Sequence, residues 1–183
     1  CLNVGCIPSK ALLDSSHHYS FLANHAADHG ITTQQCEIDV AKMLQRKNKV
    51  VKTLTTGVKG LLKNNKVTFV HGNAVIKMGK EVHVSTHEGD QVLVAESIVI
   101  ATGSKPFELD FLPIDQKQIV DSTGALDLKQ VPKHLGVIGA GVIGLEMASV
   151  WGRLGAKVTI WEAAEQFLPT VDKDIAKQAS KIL

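Results

Sequence analysis

The stretch HLGVIGAGVIGLEMASVWGRLGAKVTIWE, residues 134–162, constrains the fold more than any other part of the chain. An apolar run, Leu135 to Ile138, leads into Gly139-x-Gly141-x-x-Gly144. A helical pattern follows from Val142 to Arg153, Gly155 stops it, and Lys157 to Trp161 read as a second strand closed by Glu162. This order, strand, glycine turn, helix, strand, is that of a βαβ unit and predicts an α/β fold. Each part has a physical role. Gly139 permits the tight turn, Gly141 lets backbone approach a pyrophosphate, and Gly144 lets helix and strand pack closely. The helix N-terminus supplies free amides and positive potential for a diphosphate. Glu162 is placed to accept hydrogen bonds from an adenosine ribose and to repel a 2′-phosphate. The following AAEQFL contains no arginine to welcome that phosphate, so the pattern favours NAD over NADP. A glycine triplet alone is a weak signal, and a glycine-rich turn in an ordinary α/β protein is the alternative reading.

Upstream, the periodicity predicts a helix over residues 9–28, with Pro8 in an allowed first-turn position and Gly30 ending it. A second helix is predicted from an N-cap at Asp39 to about Asn64, with Val40, Met43, Leu44, Val50, Val51, Leu54, Val58, Leu61 and Leu62 on one side. Lys42, Arg46, Lys47, Lys49, Lys52, Lys59 and Lys63 cover the other. No aromatic residues interleave that basic stripe, which favours a solvated face over a nucleic-acid footprint. After Lys66 the period changes to two: Val67–Val70, Ala74–Lys77, Val82–Ser85 and Val92–Val94 read as short strands. Ser97–Ala101 is continuously apolar through Ile98, Val99 and Ile100, as expected of a strand buried on both faces, and it ends in Thr102-Gly103-Ser104. Residues 105–133, with Pro106, Pro113 and Pro132, read as a connection.

The opening CLNVGCIPSKALL carries two of the three cysteines. Cys36 reads as a small buried apolar residue. Cys1 and Cys6 are five positions apart, which in a regular helix is roughly 7.5 Å, beyond the span of a disulfide. A bridge therefore needs a distorted turn, and Gly5 can supply it. As a staple such a bridge is poor, worth roughly 2 kcal/mol for so small a ring against nearly 5 for a hundred-residue loop. It suits thiol exchange better, since a helix N-terminus and the nearby Lys10 favour a thiolate. A metal site and ordinary free thiols are the other readings. Zinc wants four ligands, no second pair has matching spacing, and the adjacent rings of His17 and His18 diverge on a helix.

Bulk properties narrow the classes further. Lys plus Arg exceed Asp plus Glu by 20 to 18, so no strong field steers the chain to nucleic acid or to a membrane surface. The longest apolar run, around Ile98–Ala101, is far short of the roughly 20 residues of a membrane helix. No secretory leader is visible.

Three separated segments, CLNVGCIPSKALL, the ATGS of Ala101–Ser104, and DSTGALDLKQVPKHLGVIGAGVIGLE, together resemble the disulfide-dependent flavoprotein reductases, class I of the pyridine nucleotide-disulfide oxidoreductases. Within that family the IPSKALL and DSTGAL stretches are most similar to the dihydrolipoamide dehydrogenase branch. The resemblance runs essentially from end to end. It implies a two-domain, FAD/NAD(P)-binding Rossmann-like fold truncated at both ends. Residues 1–116 would be a partial FAD-binding domain lacking its first βαβ unit, and 117–183 the first part of the NAD-binding domain. The C-terminal dimerisation domain would lie beyond Leu183, and the 183 residues alone are not expected to assemble a working site.

The resemblance also assigns roles. Cys1 would be the interchange sulfur attacked by dihydrolipoamide, and Cys6 the sulfur against the flavin. Lys10 would lie near the flavin, paired with Glu146, whose alternative reading is a solvated surface glutamate. Thr102, Gly103 and Ser104 would contact FAD, as would Ala74, where the family often has glycine, and Cys1 and Lys10 would border it. NAD would lie over Gly139, Ala140, Gly141, Val142, Ile143, Gly144, Leu145 and Glu146, with Glu162 at the ribose. The implied reaction is oxidation of protein-bound dihydrolipoamide with reduction of NAD. The general base would be a histidine held by the other subunit's glutamate, outside these residues. The implied partners are the lipoyl domain of a 2-oxo-acid dehydrogenase complex or glycine-cleavage system, and a second subunit in a homodimer, with no nucleic acid or membrane. The implied compartment is bacterial cytoplasm or mitochondrial matrix. The alternatives are a mercuric or glutathione-type reductase, which use NADPH, and a non-catalytic nucleotide-binding redox sensor.

Overall fold

A computed structural model describes residues 1–182. Two strands, β4 (His134–Ile138) and β5 (Lys157–Trp161), run parallel with His134 opposite Lys157 and Ile138 opposite Trp161. Helix α4 (Val142–Arg153) makes the crossover, as parallel pairing requires. Gly155, at φ +106, reverses the chain after α4, and its amide bonds the Gly152 carbonyl. These elements coincide with those the sequence predicts.

The chain divides into two compact units, Cys1–Thr55 with Glu108–Leu183, and Thr56–Phe107. The first is built around α4. Against it lie α1 (Cys6–Asn24), the first part of α2 (Val40–Asn64) and the short α3 (Ser122–Ala125). Leu12, Met43, Leu44, Leu126, Val150 and Trp151 form its main core. Val150 and Trp151 are fully enclosed, and the Trp151 indole N–H donates to the Ala125 carbonyl at 3.1 Å. That bond satisfies the one polar atom of the largest core side chain, which otherwise contributes about 3 kcal/mol by burial. Asp121 caps α3, its Oδ1 accepting from the Gly124 amide at 2.8 Å. A smaller cluster of Ala140, Leu145, Leu168 and Ala176 packs α5 (Lys173–Ile182) beside the glycine turn.

The second unit carries an antiparallel meander of β1 (Asn73–Ile76), β2 (Glu81–Thr86) and β3 (Gly89–Val94). Its strands match three of the predicted ones within a few residues.

Several expectations are corrected. The first helix starts at Cys6, not residue 9, and ends at Asn24. A separate turn, Ala26–His29, is closed by Gly30 at φ +72. Asp39 does cap α2, accepting from the Lys42 amide at 3.0 Å. Lys47, which the sequence pattern puts on the solvated face, is only 4% exposed: its ammonium donates to the Leu126 carbonyl at 2.9 Å and Asp127 at 2.6 Å. It lies three and four residues beyond Leu44 and Met43, on the face that meets α3, and its long apolar stem packs there. Arg46 is also engaged, with Asp14 at 2.6 Å and the Ala11 carbonyl at 3.0 Å. Val67–Val70 is not a strand. Ser97–Ala101 pairs with no strand among the described residues, and Val99 and Ile100 are 87% and 72% exposed. An apolar run becomes a buried strand only where neighbouring strands supply ladders on both edges, which its own composition cannot do. Cys36 is free and half-buried rather than enclosed. Leu54, Val58 and Leu61 of α2 are exposed.

Candidate active site

Cys1 and Cys6 are joined by a disulfide, with 4.5 Å between their Cα atoms. Gly5, at φ +99, is the N-cap of α1 and folds the chain back so that the Ile7 amide bonds the Cys1 carbonyl at 3.1 Å. A side chain at that φ is strained, so this turn requires glycine. Cys6 is therefore the first residue of α1, where unpaired amides and the helix dipole favour a negative sulfur. Both cysteines are exposed. A cavity of about 100 Å³ lies beside the turn, with Asn3, Val4, Pro8, Lys47 and Asp127 among its walls.

One turn further along α1, Lys10 forms an ion pair with Oε1 of Glu146, from the second turn of α4. The buried hydroxyl of Ser9 donates to the other carboxylate oxygen at 2.5 Å. Partial burial opposes ionisation of Glu146, but the hydrogen bonds from Lys10 and Ser9 and the charge of Lys10 outweigh it and hold the carboxyl below its usual value. The Ser9 contact is not among those the sequence pattern predicts. Its signal was the adjacency of a small hydroxyl residue to Lys10 at the start of an apolar helix.

The glycine loop sits at the opposite end of this link. Gly139 has φ +100, and its amide bonds the Trp161 carbonyl at 2.7 Å. A methyl on Gly144 would lie 2.1 Å from the Gly139 carbonyl oxygen, so only glycine lets α4 approach the turn. A methyl on Gly141 would meet nothing within 4 Å. The loop thus leaves open space at the N-terminus of α4, where Val142 and Ile143 are exposed and first-turn amides lack helical partners. A dinucleotide's diphosphate fits this cradle. Ala140 and Leu145 are buried beneath it. Glu162, at the end of β5, accepts from the Ala164 amide at 2.8 Å and the Ala140 amide at 2.7 Å. Those bonds, Ala164 first, depress its carboxyl, and the carboxylate keeps further lone pairs open to hydroxyl donors.

In the other unit, Ala74 lies exposed in β1 opposite Val84, and Thr102, Gly103 and Ser104 form exposed irregular chain with Gly103 at φ +81. Among the described residues no group of three or more His, Cys, Asp or Glu is arranged to hold a metal ion, and no helix is long and apolar enough to cross a membrane.

Against known proteins, residues 1–183 match the profile of the family described as pyridine nucleotide-disulphide oxidoreductase. The mitochondrial dihydrolipoyl dehydrogenase of Pisum sativum is 51% identical over 184 aligned positions, covering 100% of this chain and 37% of that protein. The dihydrolipoyl dehydrogenase of Cupriavidus necator is 48% identical, covering 100% and 39%. Among solved structures, the Cu(II) complex of the HOCl-induced flavoprotein disulfide reductase RclA from Escherichia coli superposes with a TM-score of 0.77 at 34% identity, covering 100% of this chain and 38% of that one. The chain spans well under half the length of each.

Proposed function

The chain belongs to the pyridine nucleotide-disulphide oxidoreductase family, and from that premise we propose that it is part of a flavoprotein that oxidises protein-bound dihydrolipoamide and reduces NAD. The observation that carries the reading is the Cys1–Cys6 disulfide at the first turn of α1, linked through Lys10 and Glu146 to the helix of the glycine loop. The similarity to dihydrolipoyl dehydrogenases of a plant mitochondrion and a bacterium supports the substrate. The Pisum sativum relative is named as mitochondrial; for this chain we propose mitochondrial matrix or bacterial cytoplasm as the compartment, and the lipoyl domain of a 2-oxo-acid dehydrogenase complex or glycine-cleavage system as partner. We assign residues 1–116 to part of an FAD-binding domain, 117–183 to the start of an NAD-binding domain, and the whole protein to a homodimer.

In the chemistry we assign, a substrate thiolate attacks Sγ of Cys1, the Cys1–Cys6 bond breaks, and Cys6 leaves as a thiolate. The second substrate thiol then gives up its proton as its sulfur attacks the first, closing the lipoamide disulfide, and the displaced Cys1 sulfur takes up that proton to leave as a thiol. Two electrons are left on the cysteine pair. The start of α1 and the Lys10 ammonium stabilise the Cys6 anion. FAD, held by Thr102, Gly103, Ser104 and the backbone of Ala74 in this reading, supplies when bound the two-electron relay from dithiol to NAD. The cradle 139–144 holds the diphosphate of NAD and Glu162 its ribose. Supplying dihydrolipoamide and NAD to the full-length protein tests the proposal: NADH formation supports it. Rapid turnover of glutathione disulfide or mercuric ion, with none of dihydrolipoamide, contradicts it, as does the absence of any flavin.

A further inference from the structure

We propose that Ser9 is a positioning residue of the redox centre: its buried hydroxyl fixes the Glu146 carboxylate, and through it sets how much of the Lys10 charge reaches Cys6. The inference rests on the function proposed for the chain. Ser9 is 4% exposed and sits in the first turns of α1, where a serine hydroxyl ordinarily turns back to the carbonyl four residues earlier. That carbonyl, of Gly5, already accepts from the Ser9 amide at 2.9 Å, and the hydroxyl instead reaches 137 residues along the chain to Oε2 of Glu146. The two oxygens of Glu146 are thereby divided. Oε2 is satisfied by a neutral donor and Oε1 by the Lys10 ammonium.

Cys6 and Lys10 are four residues apart on one helix and so neighbours on its surface. Lys10 is shared between the carboxylate and whatever negative charge develops on Cys6. Without the Ser9 hydroxyl both carboxylate oxygens turn to Lys10, and its charge is drawn from the sulfur. The other charged groups about this end of α1 are neutralised locally: Lys47 by Asp127, and Arg46 by Asp14, which also faces His18. Glu146 is therefore the charge that competes with Cys6 for Lys10.

The test is a double-mutant cycle in the full-length protein. The disulfide is reduced with dithiothreitol, and the rate of Cys6 alkylation by iodoacetamide is followed against pH, with fragment masses separating Cys6 from Cys1. Ser9→Ala should raise the pH midpoint and slow alkylation below it roughly threefold, the scale of a partly withdrawn neighbouring charge. Glu146→Gln should lower the midpoint. Ser9→Ala added to Glu146→Gln should then change nothing. If Ser9→Ala does not fold, the isosteric pair Ser9→Thr and Ser9→Val makes the same comparison, with Thr behaving as wild type. No shift in Ser9→Ala, or an equal shift with and without Glu146, overturns the role of Ser9 alone. Failure of wild-type protein to yield new thiols at Cys1 and Cys6 on reduction overturns the proposed function with it.

Discussion

Oε2 of Glu162 accepts a hydrogen bond from the Ala140 amide at 2.7 Å, tying the tip of β5 to the glycine loop 22 residues earlier in the chain. The carboxylate therefore braces the glycine loop, in addition to the ribose contact proposed for it. Glu162→Ala should lower the NAD-to-NADP ratio of kcat/KM by about tenfold, since a carboxylate beside a 2′-phosphate repels it and pairs with a 2′-hydroxyl. Because the brace is lost too, affinity for NAD should fall in absolute terms. Kinetics of the full-length variant with both nucleotides checks this, and an unchanged ratio counts against the ribose contact.

Gly144→Ala should unseat α4 from the turn before it. The added methyl would fall 2.1 Å from a backbone oxygen and 3.2 Å from Cγ1 of Val137, and neither can swing aside as a long side chain could. We expect a loss of about 3 kcal/mol, at the upper end of overpacking, with weakened NADH binding. Urea denaturation and calorimetric titration measure the two.

Lys47→Ala should destabilise the first unit by about 2 kcal/mol, the range of a lost hydrogen bond to a charged donor. The penalty stops short of that for a fully buried ion pair because Asp127 is half exposed and can be rehydrated. Lys47→Met keeps the apolar stem and should recover part of the loss. Denaturation midpoints of the two variants separate packing from charge.

Glu146 gives a pH signature. Its folded-state carboxyl lies below the ordinary value of 4.5, so its contribution is complete above that value and is lost as pH falls through the lower, folded one. Stability of the wild type should decline more steeply than that of Glu146→Gln below about pH 4.5. Equal slopes in urea titrations across that range would show that the carboxylate does not favour the folded state.

The parts of this molecule that were legible in its sequence are those whose geometry is local. The strand, turn and helix of residues 134–162 are fixed by apolar spacing and by glycines that nothing else can replace, and Asp39 announces the start of α2. The disulfide turn was legible because Gly5 stands where a six-residue ring must bend. Contacts made across the chain were harder to see. The burial of Lys47 depends on where α3 docks, and the bond from Ser9 depends on which face of α4 meets α1. The exposure of Val99 and Ile100 shows the converse: the composition of a buried strand does not bring its neighbours with it.

The central claim is that the bond between Cys1 and Cys6 is opened by a dithiol and that its electrons pass to NAD. Full-length protein mixed with stoichiometric dihydrolipoamide under argon should expose two new thiols, at Cys1 and Cys6. A long-wavelength absorbance should appear with them and vanish in Cys6→Ser, and added NAD should convert the thiols back to the disulfide with formation of NADH. Persistence of that absorbance in Cys6→Ser, or NADH formation undiminished when either cysteine is replaced by serine, would contradict the account.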